Sequence, residues 1–288
     1  MMKAWAMTNQ TGGAAVPPAN PNQALWEKGD FTRIAQTMRA SGEALVQSLG
    51  IQKGHKVLDL GCGDGTTALP AARLGAEVLG VDIASNLVAA GNRRAAEEGL
   101  KTCRFQQGDA SHLSGIEDAT FDQVVSIFGA MFAPRPQDVA KEMVRVTRPG
   151  GQIVMGNWIP GDPTLVAQIL RISAAYSPLP PEGSVSPVLW GVAAEATNRF
   201  VTAGAPPDQI SCEPQTYTFD FAGTPTEFVG VFRDFYGPTM NAFAAAAAAG
   251  KADGLQQELE ALFLQQNSSK APDRTVIPAT FLKVTVKV

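Results

Sequence analysis

The stretch Val57-Leu58-Asp59-Leu60-Gly61-Cys62-Gly63-Asp64-Gly65 decides the fold. Its first residues read as a buried strand, and three alternate glycines then force a tight turn. Thr66, Thr67, Ala68 and Leu69 follow as a helix would begin. Glycines let backbone amides reach a bound small molecule, because no Cβ holds it away. About twenty residues further on, a second strand, Glu77-Val78-Leu79-Gly80-Val81, ends in Asp82. A carboxylate there suits the paired hydroxyls of a ribose. Strand, glycine turn, helix and second strand together place a nucleoside-containing cofactor at the strand ends.

The glycine spacing narrows the cofactor. A dinucleotide fingerprint needs G-x-G-x-x-G, and its third glycine falls where this chain has Thr66. Asp59 and Asp64 flank the turn, and both repel a pyrophosphate while favouring a cofactor with a cationic ammonium and sulfonium. The segment resembles the first motif of the class I S-adenosylmethionine-dependent methyltransferases. Three further motifs extend the resemblance over roughly Trp26 to Trp158 in matching order and spacing. Gln107-Gly108-Asp109-Ala110 follows a third strand-like run. Phe121 to Phe128 reads as a buried fourth strand that enters the loop Phe128-Gly129-Ala130-Met131. Arg148-Pro149-Gly150-Gly151 turns into a fifth strand, Gln152 to Met155.

The resemblance implies a Rossmann-like, mostly parallel seven-stranded sheet with helices on both faces. It implies S-adenosyl-L-methionine as cofactor and S-adenosyl-L-homocysteine as product. By position it assigns Asp59, Gly61, Cys62 and Gly63 to the methionine end and Asp82 to the ribose. Asp109 falls to the adenine amino group, Ile83 and Ala110 to the faces of the adenine ring, and Phe128 and Gly129 to the methyl mouth.

Composition sets outer bounds. At 288 residues the chain can bury one large core. A net charge of −4 with no basic tract argues against a general nucleic-acid binder. Cys62, Cys103 and Cys212 form neither a metal-type spacing nor an even disulfide set. No apolar run is long enough for a membrane span. Residues 1–22, rich in Gly, Pro, Ala and Asn, read as a disordered tail rather than a signal peptide, and the expected location is cytoplasmic.

Residues 23–288 are expected to form a single domain. Its core comprises about 51–158, 188–221 and 275–288. Thr32 is expected to cap one long helix carrying Ile34, Met38, Leu45 and Leu49, and Ser85 to cap the helix after Asp82. Strands are expected at Thr216 to Phe221 and Phe281 to Val288. The insertions 159–187 and 222–274, with the N-terminal helix 23–50, are expected to form a helical lid.

For the acceptor, Trp26, Phe31, Met131, Trp158, Tyr176, Trp190 and Tyr236 are candidate pocket residues. His112 is a weak candidate general base, because histidine titrates near working pH. Ser126-Ile127-Phe128-Gly129 carries no Pro-Pro-aromatic clamp of the kind that amine-methylating DNA enzymes of this family use. Asn157 is the one metal-ligand candidate at the ends of the fourth and fifth strands, so no metal is expected. The expected reaction is methyl transfer to an oxygen, nitrogen or carbon of a small, partly apolar metabolite. The alternatives are a non-catalytic S-adenosylmethionine-binding protein and an NAD-dependent oxidoreductase. Oligomeric state and substrate identity are not legible.

Overall fold

The first strand, β1 (Lys56–Leu60), is buried over four of its five residues and lies inside the sheet, third in its order. Both of its neighbours run parallel to it: β2 (Glu77–Asp82) on one side and β4 (Phe121–Ile127) on the other. A strand covered on both faces needs a continuous apolar run, which Val57, Leu58 and Leu60 supply. β3 (Cys103–Gln107) completes one edge. Beyond β4 come β5 (Thr147–Trp158), then β7 (Thr275–Lys287), with β6 (Ile210–Phe221) at the far edge. The order is thus 3-2-1-4-5-7-6, and β7 runs antiparallel to both of its neighbours. This computed structural model describes Asn20 and residues 22–288.

In chain order the helices begin with α1 (Gln23–Lys28), α2 (Thr32–Gln36) and α3 (Arg39–Ser48). The crossovers are made by α4 (Ala68–Arg73), α5 (Ser85–Glu97) and α6 (Pro136–Val146). Between β5 and β6 lie α7 (Leu165–Tyr176) and α8 (Ala193–Thr202). Three more, α9 (Pro225–Phe235), α10 (Gly237–Ala248) and α11 (Ala252–Gln266), fill the chain between β6 and β7. A capping box starts α9: Thr224 Oγ1 accepts from the Glu227 amide, and the Glu227 carboxylate accepts from the Thr224 amide.

Several local expectations are corrected. The single helix expected from Thr32 breaks into α2 and α3. The Thr37 carbonyl, which a continuous helix would use internally, accepts instead from the Asp220 amide at 2.7 Å. Thr32 is the first helical residue and makes no cap bond; its amide and hydroxyl both donate to Asp30. Ser85 does not cap α5 either. Glu27 of α1 reaches across and accepts from the Ser85 amide and hydroxyl at 3.0 and 2.8 Å. Burial in β7 alternates cleanly but changes parity midway: odd residues are buried up to Phe281, even ones from Leu282 to Val286. The disordered tail expected over 1–22 lies outside the described residues except at Asn20 and Asn22, and those two are bonded into the cleft described below.

Candidate active site

At the carboxyl ends of β1, β2 and β4 the chain opens into a cleft with an empty volume of about 1170 Å³, including its mouth. The glycine turn forms one end. Gly61, Gly63 and Gly65 all have positive φ (+63°, +53° and +92°), the left-handed region that glycine enters without steric cost. A methyl group on Gly61 would meet Gly129 Cα at 2.6 Å, so two loops cross backbone to backbone there. Gly63 faces open space, with Phe31 as its nearest neighbour at 3.8 Å. A ligand can therefore lie directly against this turn.

Three carboxylates, Asp59, Asp64 and Asp82, line the same end. Asp64 is already neutralised: Arg39 approaches it at 2.6 Å and Arg94 at 3.4 Å. The sequence argument that both turn acids favour a cation thus holds for Asp59 alone, because Asp64 spends its charge within the protein. Asp59 is buried, has no cation partner among the described residues, and its Oδ2 makes no hydrogen bond. Burial, reinforced by the nearby Asp82 charge, pushes its carboxyl up to about 7, partly offset by the Ala68 amide. Burial also raises the Asp82 carboxyl, against hydrogen bonds from backbone amides. Asp82 Oδ2 accepts from the Gly63 amide at 2.8 Å and Oδ1 from the Ala84 amide at 2.9 Å, so this side chain also ties the glycine turn to β2. Cys62 is buried beside them, and its thiol is raised well above the usual range, chiefly by desolvation. A thiol held neutral in this way is a poor nucleophile.

Ile83, Gly108 and Ala110 continue the cleft, while Asp109 stands just behind its wall. Asp109 Oδ1 accepts from the Ser111 amide and hydroxyl, and Oδ2 accepts from Asn20 Nδ2 at 3.3 Å. Asn22 donates to the Phe132 carbonyl at 2.6 Å, so the chain entering α1 runs along the rim.

The other end is aromatic. Trp26 packs edge-on against Phe31, Phe132 and Tyr236, and Phe232 packs edge-on against Tyr236. Phe128 has φ +63°, unusual for a bulky residue. Its ring is held by stacking on Trp158 (centroids 3.7 Å, 11° between planes) and by the edges of Tyr217 and Phe281. Such over-determination is how a strained backbone persists. No lysine, arginine or histidine appears among the described residues lining the cleft.

Of the sequence candidates, the structure brings together Asp59, Gly61, Cys62, Gly63, Asp82, Ile83, Ala110, Phe128, Gly129, Trp26, Phe31, Trp158 and Tyr236. Asp109 is not among the lining residues, and four others lie elsewhere. Met131 is packed into the core under the loop. Tyr176 is turned outward and donates to Glu258 at 2.6 Å. Trp190 is fully buried, and the Arg199 guanidinium lies 4.6 Å from its ring. His112 is exposed and outside the cleft, paired through the backbone with Asp109. Sequence reasoning missed Asn20, Asn22, Thr66, Tyr217, Phe219 and Phe232. The alternation Thr216 to Phe221 put Tyr217 and Phe219 on one face, but nothing in it pointed to a ligand.

This geometry defines a Rossmann-like protein with an open cleft at its strand ends, one end lined by glycines and carboxylates and the other by aromatics. Residues 58–155 match the family model described as "Methyltransferase domain". "Uncharacterized protein Rv1403c" of Mycobacterium tuberculosis is 34% identical over 234 residues, covering 80% of this chain and 82% of that protein. "Methyltransferase GfsG" of Streptomyces halstedii is 36% identical over 141 residues, about half of each chain (48% and 50%). The fold is shared with the Haemonchus contortus phosphoethanolamine N-methyltransferase 2, solved with phosphomonomethylethanolamine and S-adenosylhomocysteine. That likeness has a TM-score of 0.53 at 20% identity, over 86% of this chain and 52% of that one. The chain belongs to the class I S-adenosylmethionine-dependent methyltransferases, and S-adenosyl-L-methionine is its cofactor.

The residues present fit that cofactor. Asp59 leaves one buried carboxylate oxygen free for an ammonium, and the glycine turn leaves room that a side chain at Gly63 would take.

Proposed function

We propose that this protein transfers the methyl group of S-adenosylmethionine to an oxygen, nitrogen or carbon of a small, partly apolar metabolite, without a metal. The observation that carries this reading is a single cleft with an acidic, glycine-lined end and an aromatic end free of charged side chains. When bound, the cofactor supplies an electrophilic methyl group on a sulfonium. Asp59 faces the ammonium, Asp82 the ribose, and Asp109 the adenine amino group once Asn20 yields its place. Phe128 and Gly129 stand between the two ends, where donor and acceptor meet.

Positioning does most of the work. Holding nucleophile and methyl carbon in line is worth up to ~7–11 kcal/mol in favourable cases. The stacked Phe128 and Trp158 exclude water from that junction, and Trp26, Phe31, Phe232 and Tyr236 offer flat faces to an apolar acceptor. The helical segments 23–50, 159–187 and 222–274 act as its cover: each contributes at least one lining residue, namely Trp26, Val166 and Phe232. A cytoplasmic setting accords with three cysteines that remain free thiols.

The test is turnover. The protein is incubated with trideuteromethyl S-adenosylmethionine and a fractionated metabolite extract, with and without chelator. A deuterium-labelled product from the apolar neutral fraction, insensitive to chelator, supports the reading. Label found only in nucleic acid or protein, or lost with chelator, contradicts it.

A further inference from the structure

The cleft holds three buried oxygens that find no hydrogen-bond partner among the described residues and belong to no ion pair there: Asp59 Oδ2, Thr66 Oγ1 and the Tyr217 hydroxyl. They come from three separate parts of the chain: the end of β1, the turn before α4, and the far-edge strand β6. Tyr217 is the unexpected member. Its side chain is 1% exposed and crosses over the Phe128 ring edge-on (5.0 Å, 89°) to reach the first motif. The convergence can be located at Gly42 of α3. A methyl group there would meet Thr66 Cγ2 at 2.5 Å, the Thr66 carbonyl at 2.9 Å and the Tyr217 hydroxyl at 3.0 Å. Glycine at position 42 is what lets the tyrosine tip and the threonine come side by side.

A buried hydroxyl without a partner destabilises the fold, so two of them beside an unpaired carboxylate are a standing penalty unless something satisfies them. Their chemistry is complementary to one kind of group. The carboxylate oxygen accepts from a cation, and the two hydroxyls can donate to an anion a few ångströms away. An α-amino acid zwitterion presents both. The Asp59 charge also raises the Tyr217 hydroxyl, after desolvation, so this tyrosine stays protonated and a donor.

We infer that Tyr217 and Thr66 donate hydrogen bonds to the carboxylate of the cofactor's methionine end while Asp59 takes its ammonium, so that β6, remote in sequence from the first motif, completes the donor site. This rests on the assignment of S-adenosylmethionine as cofactor. Tyr217 and Thr66 are positioning residues here: they fix the amino acid end, and through it the direction of the sulfonium.

The test dissects the ligand. Calorimetry is run on the unsubstituted protein, Tyr217→Phe and Thr66→Val with three compounds. These are S-adenosylhomocysteine, decarboxylated S-adenosylmethionine (ammonium without carboxylate) and 5′-methylthioadenosine (neither). Expected for each variant is a loss of S-adenosylhomocysteine affinity on the order of tenfold, with the other two compounds bound as by the unsubstituted protein. Tyr217→Phe is also expected to raise the melting temperature of the ligand-free protein, since it deletes an unpaired buried hydroxyl. Unchanged S-adenosylhomocysteine affinity in Tyr217→Phe overturns the inference, and so does an equal loss for all three compounds, which would mark a packing role. If the unsubstituted protein bound none of the adenosyl compounds, the cofactor assignment itself would fall, a result distinct from either.

Discussion

Asp59 is poorly suited to the empty protein and, in the function proposed above, well suited to an ammonium. Buried with Oδ2 unpartnered, its carboxyl titrates near 7, against 3.8 in the open chain. Between those values the folded protein holds a proton that the unfolded chain has lost, so stability falls as pH rises through this window and levels off above it. Asp59→Asn removes the penalty. Its ligand-free form should match the unsubstituted protein near pH 4 and be the more stable by about 2–4 kcal/mol at pH 8, read by urea denaturation. Cofactor binding should show the opposite sign. The ammonium needs the ionised carboxylate, so S-adenosylhomocysteine affinity should climb from pH 5.5 to about 7 and then flatten, while Asp59→Asn binds weakly with no such slope. The sequence pointed to Asp59 and Asp64 alike. The contacts with Arg39, twenty-five positions upstream, and with Arg94 on α5 separate the two, and no local pattern announces pairings across such distances.

At the scale of elements, the site depends on two crossings. The turn after β1 and the loop after β4 touch through Gly61 and Gly129, where neither can carry a side chain without moving the other. Gly61→Ala combines left-handed strain of ~1–2 kcal/mol with overpacking of ~1–3 kcal/mol. A loss of about 2–4 kcal/mol in denaturant unfolding is therefore expected, together with loss of cofactor binding. Gly150→Ala, also at positive φ but facing open space, should cost only the strain. The second crossing is Asp64 between Arg39 of α3 and Arg94 of α5. Because the arginines remain 29% and 18% exposed, Asp64→Asn should cost about 1–3 kcal/mol, below the ~3–5 of a fully buried pair. Central strands and glycine turns were legible because apolar runs and glycines act locally. The break between α2 and α3 was not, since it follows from a hydrogen bond donated by Asp220. Nor was the start of β6 at Ile210: on this edge strand Ser211, Glu213 and Pro214 are exposed, no residue before Tyr217 is fully buried, and the alternation breaks at Pro214.

Across the whole molecule the cleft lies where the parallel part of the sheet meets the N-terminal helices and the helices inserted between β5 and β7. The order 3-2-1-4-5-7-6 places β1 and β4 at its floor; α1, α9 and β6 bring aromatic side chains over them, and α2 and α7 add the aliphatic Ile34 and Val166. That division explains what the sequence could tell. The glycine-lined end is built from consecutive motifs, so most residues expected there lie together in the cleft, whereas Tyr217, contributed by β6 far along the chain, was not legible. The acceptor end is assembled from aromatics spread between Trp26 and Tyr236, and most aromatics in any chain simply pack. Tyr176 and Trp190 were lost to that ordinary role, while Phe219 and Phe232 went unnoticed. Asn20 and Asn22, in a stretch whose composition suggested a tail, close the rim by bonds to Asp109 and Phe132.

The measurement that bears most directly on the account is a parallel calorimetric titration of the ligand-free protein with S-adenosylmethionine, S-adenosylhomocysteine and NAD, repeated on Asp82→Ala. Binding of both adenosyl compounds at about micromolar concentration is expected, with no heat from NAD. Asp82→Ala should weaken them by about 1.5–3 kcal/mol, the range for hydrogen bonds to a charged group. Binding of NAD alone, or an Asp82→Ala protein that holds S-adenosylhomocysteine as tightly as the unsubstituted one, would contradict the account.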